Sequence, residues 1–518
     1  MKNFKRPALS VCILSLLVGC SGASEYSSEP SVNQSSKPAK PNIVIFYVDD
    51  MGYGDLSSYG ATQVTTPNID QLANDGIRYT DAHSPAATCT PSRYSLLTGE
   101  LAIRNNAAIL PGDAPLIINP SKPTLPRMLA SQGYTTGVVG KWHLGLGRGD
   151  VNWNEAVKPG PLEIGFDYSF LLPATGDRVP TVYLENHHVV NLDPSDPLSV
   201  SYVERIGDRP LGTERPDLLK QKADLQHSAT IVNGISRIGW MKGGKSAEWV
   251  DEDFHTVFTD KAIDFIDDNK NKPFMLFFPF HDIHVPRSPN AMFEGKTGMG
   301  PRGDAILQVD WMTGRIVDAL EEKGLLENTL IIFSSDNGPV LDDGYADQAV
   351  ELIGNHKPAG PFADGKYSAH EGGTRVPMIT YYKGKQQTGI SNALISHIDL
   401  YASLADLVGY ELNTTEAIDS ANVLPALLDA DADARDVMVE EAFTLALREN
   451  SWKYIAPFEG STPGWLANKD VRAGLMAEPQ LYNLSTDIKE TNNLASQYPQ
   501  RTEKMAAQLQ KILDRKQR

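Results

Sequence analysis

The chain has almost no cysteine: three in 518 residues. Cys12 and Cys20 lie near the N-terminus, which leaves Cys89 alone in the body of the chain. No internal disulfide can form there. An unpaired thiol stands out in a chain whose N-terminus marks it for export. Lys2, Lys5 and Arg6 precede an apolar run from Val11 to Val18, a secretory pattern too short to span a bilayer stably. No second long apolar run follows, so no transmembrane span is expected after the leader, and no internal repeat is visible. Positive charge is also scarce. Lys and Arg number 47 against 65 Asp and Glu, a net charge of −18. That excludes nucleic acid as the expected partner. It also denies an anionic substrate any global steering, so an anion site must work through local cations. Apolar content of 41% and charged content of 22% are those of a soluble globular protein, long enough for one large or two ordinary domains.

Residues 20–40 are rich in Ser, Glu, Pro and Lys and read as a flexible tether. Leu17-Val18-Gly19-Cys20 resembles a bacterial lipobox. The resemblance implies a signal peptide over 1–19 and lipid on Cys20. Ser21 is not the Asp of an inner-membrane retention mark. The expected location is the outer membrane through that lipid alone, or the periplasm.

Past the tether, continuous apolar runs alternate with helical periodicity. Asn42 to Val48, Thr136 to Gly140, Phe274 to Phe278 and Leu330 to Ser335 read as strands buried on both faces. Helices are expected from Thr66, a good cap ahead of Pro67, and over 124–132, 253–268 and 303–320. This alternation predicts an open α/β sheet, whose ligands bind beyond the carboxyl ends of its strands. Each of the four runs ends in a polar motif: Asp49-Asp50, Lys141-Trp142-His143, His281-Asp282-Ile283-His284 and Asp336-Asn337. Adjacent carboxylates such as Asp49 and Asp50 are costly at a strand end unless a hard cation neutralises them or water solvates them as a turn. Lys141 and His143, two apart, can reach one ligand, or can be a surface lysine and a core histidine.

Residues 146–255 are irregular and read as loops over the site with short helices between them. Asp177, Arg178, His187, His188, His227 and Trp249 are the candidate substrate contacts there. From about 430 the strands become shorter, ending in an amphipathic helix over 503–515.

Cys89-Thr90-Pro91-Ser92-Arg93, followed by Leu97-Thr98-Gly99, reads as a turn entering a helix that Gly99 stops. A lone cysteine there fits a buried structural thiol, or a reactive group near helix N-terminal amides. Cys-x-Pro-x-Arg with Leu-Thr-Gly resembles the segment of type I sulfatases in which the cysteine is oxidised to formylglycine. The resemblance covers most of residues 40–500. It implies an alkaline phosphatase-like fold: a large, mostly parallel sheet flanked by helices over 41–425, and a smaller antiparallel sheet with a helix over 426–518. It matches Asp49, Asp50, Asp336 and Asn337, with residue 89, to calcium ligands. It matches Lys141 and Lys366 to sulfate binding and Arg93 to orienting the formylglycine hydrate. It matches His143 to the base that releases sulfate from an enzyme-sulfate intermediate. It matches His284 to the acid for the leaving alcohol, with His281 the second choice.

The implied activity is hydrolysis of sulfate esters, after a formylglycine-generating enzyme has matured Cys89. Elaborate loops on an exported lipoprotein suggest a sulfated carbohydrate, with galactose or N-acetylgalactosamine sulfate in a polysaccharide or its oligosaccharides as the expected unit. A formylglycine-dependent phosphonate or phosphodiester hydrolase would share the fold. A non-catalytic glycan-binding lipoprotein would not be expected to keep Cys89, Lys141 and His284.

Overall fold

Asn42–Val48 forms β1 at the centre of a ten-stranded sheet, in a computed structural model that describes residues 40–469 and 471–518. The leader over 1–19, Cys20 and the tether up to residue 39 lie outside the described residues. Side chains of β1 alternate between two cores. Ile43, Ile45 and Tyr47 enter one, and Val44, Phe46 and Val48 enter the other. With both faces covered, no polar alternation is needed.

The other strands of this sheet are β2 (Ile77–Tyr79), β3 (Thr135–Lys141), β4 (Tyr168–Leu172), β5 (Leu184–Glu185), β6 (His188–Val189), β7 (Phe274–Pro279), β8 (Thr329–Ser335), β9 (Met378–Tyr381) and β10 (Gly389–Ser391). Their spatial order is β10-β2-β9-β8-β1-β7-β3-β4-β5-β6. The run β8-β1-β7-β3-β4 is parallel throughout. Strands β9 and β5 pair antiparallel on its two sides.

The longer helices are α1 (Pro67–Asp75), α2 (Cys89–Thr98), α3 (Leu125–Ser131), α4 (Phe254–Asn269), α5 (Gly300–Glu322), α6 (Leu400–Val408) and α7 (Pro499–Leu513). Ile69 of α1, Phe258 of α4 and Val309 of α5 join the core under Val44 and Phe46. Leu96 of α2, Leu129 of α3 and Leu404 of α6 join the opposite core. A second, four-stranded antiparallel sheet holds β11 (Val437–Glu441), β12 (Leu445–Glu449), β13 (Trp452–Ile455) and β14 (Gln480–Asn483). Met505 and Leu509 of α7 cover its apolar face against Leu447 and Leu481. No helix among the described residues is long and apolar enough to cross a membrane.

One expectation is corrected. Thr66 does not cap α1 with its side chain; the Asp310 carboxylate of α5 accepts the N–H groups of Asn68 and Ile69 instead. The short helices expected within 146–255 are 3₁₀ turns, at Leu162–Ile164, Pro216–Leu218, Lys245–Ala247 and Asp251–Asp253, with short strands between them. One of these, β4, is a full member of the parallel sheet, paired with β3 from Gly137↔Tyr168 to Lys141↔Leu172. A five-residue run carries too little periodicity to announce itself, and its pairing decides its structure.

Candidate active site

The parallel strands deliver their polar ends to one edge. The β1–β8 register, Val48↔Ser335, sets Asp49 beside Asp336. Asp50 turns back with φ 63°, a conformation few side chains adopt without local support. Its support is a hydrogen bond from the Asn337 amide Nδ2 to Asp50 Oδ1 at 2.7 Å. Asp49, Asp50, Asp336 and Asn337 are fully buried. Three cations offset the three carboxylates. Lys141 Nζ pairs with Asp49. Arg93 donates twice to Asp336 Oδ2, at 2.7 and 2.9 Å. Lys366 Nζ donates to Asp50 Oδ2 at 2.9 Å.

The compensation is incomplete. Burial, then the Asp49 charge, push the Asp336 carboxyl up to about 7 in spite of Arg93. Asp49 Oδ1 and Asn337 Oδ1 are buried and accept no hydrogen bond among the described residues. Unsatisfied buried oxygens beside crowded carboxylates are what a hard divalent cation removes. The donor set therefore fits such an ion. Ligand atoms of Asp49, Cys89 and Asp336 lie within 4.8 Å of one another.

Cys89 is the first residue of α2, behind an extended Thr88, and Gly99 ends the helix in the left-handed region at φ 66°. Two bonds fasten this first turn to the end of β3: Thr90 Oγ1 to His143 O, and Arg93 Nη1 to Lys141 O, both at 2.9 Å. The Cys89 Sγ lies 3.2 Å from His143 Nδ1. The other ring nitrogen, Nε2, lies 2.9 Å from the Leu110 carbonyl. A carbonyl only accepts, so Nε2 carries the proton and Nδ1 presents a lone pair to residue 89. Burial, then Lys141 and Arg178, hold His143 well below its usual range, which keeps it neutral. Burial raises the Cys89 thiol, although Lys141 and Lys366 oppose this.

On the other side, the same rule makes His284 Nδ1 a donor to the Val285 carbonyl at 2.6 Å. Its Nε2 faces Asp50 Oδ2 at 4.0 Å. Burial, then Lys366 and Lys141, lower the His284 pKa. His281 sits with Nδ1 3.9 Å from Asp49 Oδ2, and neither ring nitrogen finds a hydrogen-bond partner among the described residues. Its Nε2 packs so close to Gly176 that a Cβ there would approach to 2.3 Å.

The model of the Sulfatase family matches residues 41–410. The chain belongs to the sulfatase family. It is a sulfuric ester hydrolase of that family. It is 46% identical over 519 residues to the N-acetylgalactosamine-6-O-sulfatase of Bacteroides thetaiotaomicron, covering 99% of this chain and 100% of that protein. It is 31% identical to arylsulfatase A of Bos taurus, over 88% of this chain and 83% of the relative. A solved B. thetaiotaomicron 6S-sulfatase, described with the metabolism of multiple glycosaminoglycans, superposes with a TM-score of 0.90 at 47% identity. That match covers 92% of this chain and all of the other.

In this sulfatase a cavity of about 540 Å³ opens above Cys89 and is lined by His143, His284 and Lys366. Asp177, Arg178 and His227 line it too. They are mutually braced: Arg178 Nη1 donates to Asp177 at 2.8 Å, and His227 lies between Asp177 (3.3 Å) and Asp224 (2.7 Å). The remaining candidates are elsewhere. His187 pairs with Glu163 at 2.9 Å, His188 is exposed on β6, and Trp249 is buried against Tyr183 and Phe254. Sequence reasoning missed Asp343, Tyr367, Trp465 and Lys469, all on the cavity wall. Asp343 accepts from Lys366 Nζ at 3.1 Å and from the Tyr367 hydroxyl. Its position carries no signal, since Asp343 is one of five acids between Asp336-Asn337 and Lys366.

Proposed function

We propose that this sulfatase removes a 6-O-sulfate from an N-acetylgalactosamine or galactose unit of a sulfated carbohydrate. The observation that carries the chemistry is Cys89 at a helix start, facing the lone pair of His143 and lining one cavity with Lys366 and His284. The full-length identity to an N-acetylgalactosamine-6-O-sulfatase supports the sugar and the position. Formylglycine at residue 89 would supply the nucleophilic oxygen, and Ca²⁺ held by Asp49, Asp50, Asp336 and Asn337 would neutralise charge on the sulfate.

The chain's own residues do the rest. Lys141 and Lys366 bind sulfate oxygens and meet the charge that builds on them. Arg93, anchored on Asp336 and the Lys141 carbonyl, orients residue 89. His143 Nδ1 takes a proton from the group at residue 89. His284 gives one to the departing sugar oxygen once the anionic ester opposes the burial and the two lysines that lower its pKa. Export and lipid attachment at Cys20 belong to the same proposal, since an extracellular polysaccharide has to be met outside the cytoplasm.

The test is free sulfate released from a panel of sulfated mono- and disaccharides. The 6-sulfated N-acetylgalactosamine should rank highest in kcat/KM. Faster turnover of a phosphonate monoester than of every sulfate would overturn the assignment.

The histidines give a second test. A sugar alkoxide leaves poorly and needs a proton, whereas nitrophenolate does not. His284→Ala should therefore lose roughly 10²–10⁴-fold on a sugar sulfate and far less on nitrophenyl sulfate. His281→Ala should show no such dependence on the leaving group. The reverse pattern would make His281 the acid.

A further inference from the structure

The second sheet sends one connection, residues 456–479 between β13 and β14, back over the cavity. It is tied down beside the site: Ala369 N–H donates to the Ala473 carbonyl at 3.0 Å, three residues beyond Lys366. From this connection Trp465 and Lys469 reach the cavity wall. Trp465 meets Tyr367 edge-on with centroids 5.1 Å apart, and Phe443 at 6.2 Å. The three rings make an aromatic wall beside the charged groups Asp343, Lys366 and Lys469.

The Lys469 side chain is 2% exposed. Its Nζ has no hydrogen-bond partner among the described residues. Two carboxylates lie near, Asp343 at 3.3 Å and Asp224 at 3.7 Å. Asp343 also serves Lys366 and Tyr367, and Asp224 serves His227 through its other oxygen, Oδ1. A buried ammonium held at ion-pair distance by two carboxylates but making no hydrogen bond, on the wall of a substrate cavity, has N–H groups left for an acceptor from the ligand.

We infer that Trp465 and Lys469 form a subsite for a second anionic group of the substrate, a carboxylate on a linked hexuronate or a second sulfate on the same sugar, with the aromatic wall against a sugar ring. The inference rests on the carbohydrate reading above. It adds a requirement: the preferred substrate carries two negative groups, the ester that is cleaved and one that is only bound. The rival role for Lys469 is structural, as a partner of Asp343 that holds Lys366 in position.

Three substrates separate these roles: N-acetylgalactosamine 6-sulfate, the same unit linked to a hexuronate, and the 4,6-disulfated monosaccharide. Lys469→Met keeps the length of the side chain and removes the charge. It should lose roughly 10- to 100-fold in kcat/KM on whichever dianionic substrate the wild type prefers, the range expected for a hydrogen bond to a charged group. It should lose less than about 3-fold on the monosulfated sugar, which brings no second anion for the ammonium to bind. The substrate that suffers identifies the anion. Lys469→Arg should restore most of the preference.

An equal loss on all three substrates would assign Lys469 to positioning Lys366 and overturn the inference, as would no loss on any. Should the wild type cleave none of these sugars, the substrate reading fails at that stage, before any variant is made. Calorimetric titration with a hexuronate-containing disaccharide that carries a 4-sulfate but no 6-sulfate then still reads the subsite. Binding by the wild type that Lys469→Met abolishes supports it. No binding by the wild type overturns it.

Discussion

A peptide spanning residue 89 should weigh ~18 Da less than its cysteine form, the opposite sign from ordinary thiol oxidation, which adds oxygen. Cys89 is a poor nucleophile as a thiol. Burial raises its pKa, and its hydrogen-bond partner is a neutral histidine. An oxidised residue presenting oxygen at the same place would face the His143 lone pair and the Lys141 and Lys366 ammonium groups with no rearrangement of α2. Cys89→Ala should lose activity on the order of 10⁶-fold, the scale for deletion of a nucleophile. Cys89→Ser should do little better, because a serine hydroxyl supplies oxygen at that carbon but no aldehyde. Folding should survive either change: the first turn is held by Thr90 and Arg93 rather than by the sulfur, and Gly99 stops the helix at its other end. Full activity with an intact thiol in the mass spectrum would end the formylglycine proposal.

The parts of this site that can be read from sequence are those on parallel strands. A strand buried on both faces must be apolar along its length, so its polar terminus is conspicuous. Asp49, Lys141 and Asp336 are each such a terminus or directly follow one. His284 is legible for the same reason, though its neighbour His281 competes for the role until geometry separates them: His284 lines the cavity, and His281 lies under Gly176 beside Asp49. The cavity wall is different. Asp343, Tyr367, Trp465 and Lys469 come from connections with no period, and their convergence is a property of tertiary packing. Asp177, Arg178 and His227 are reachable only as members of a polar stretch, alongside His187, His188 and Trp249, which point elsewhere. The strand β4 escapes sequence reasoning because five residues show no period. Strand β12, Leu445–Glu449, escapes it as well, sitting between two strands that are legible.

Chelation should abolish activity, and Ca²⁺ should restore it better than Zn²⁺. Three carboxylates and an amide oxygen form the donor set, and oxygen donors suit the harder ion. Without a cation the three carboxylates crowd one another. Asp336 is pushed up to about 7 by burial and by Asp49, while Lys141, Arg93 and Lys366 are drawn into pairs with the carboxylates. A divalent ion would relieve that crowding and take up Asp49 Oδ1 and Asn337 Oδ1, the two buried oxygens without partners. It would also leave the lysines free to meet sulfate. Binding to the folded state alone stabilises it, by about 2.7 kcal/mol at a hundredfold excess over Kd, so Tm should rise with added Ca²⁺. Asp336→Ala removes a ligand but also strands the buried Arg93 guanidinium, a change that costs about 3–5 kcal/mol by itself. Asp336→Asn keeps an acceptor for Arg93 and lowers only the charge of the site. It should fold, show little of the calcium-dependent rise in Tm, and be as inactive as the chelated wild type. If Asp336→Asn keeps the full thermal response to Ca²⁺, or if a verified metal-free sample turns over sulfate ester at the normal rate, the cation does not belong on these carboxylates.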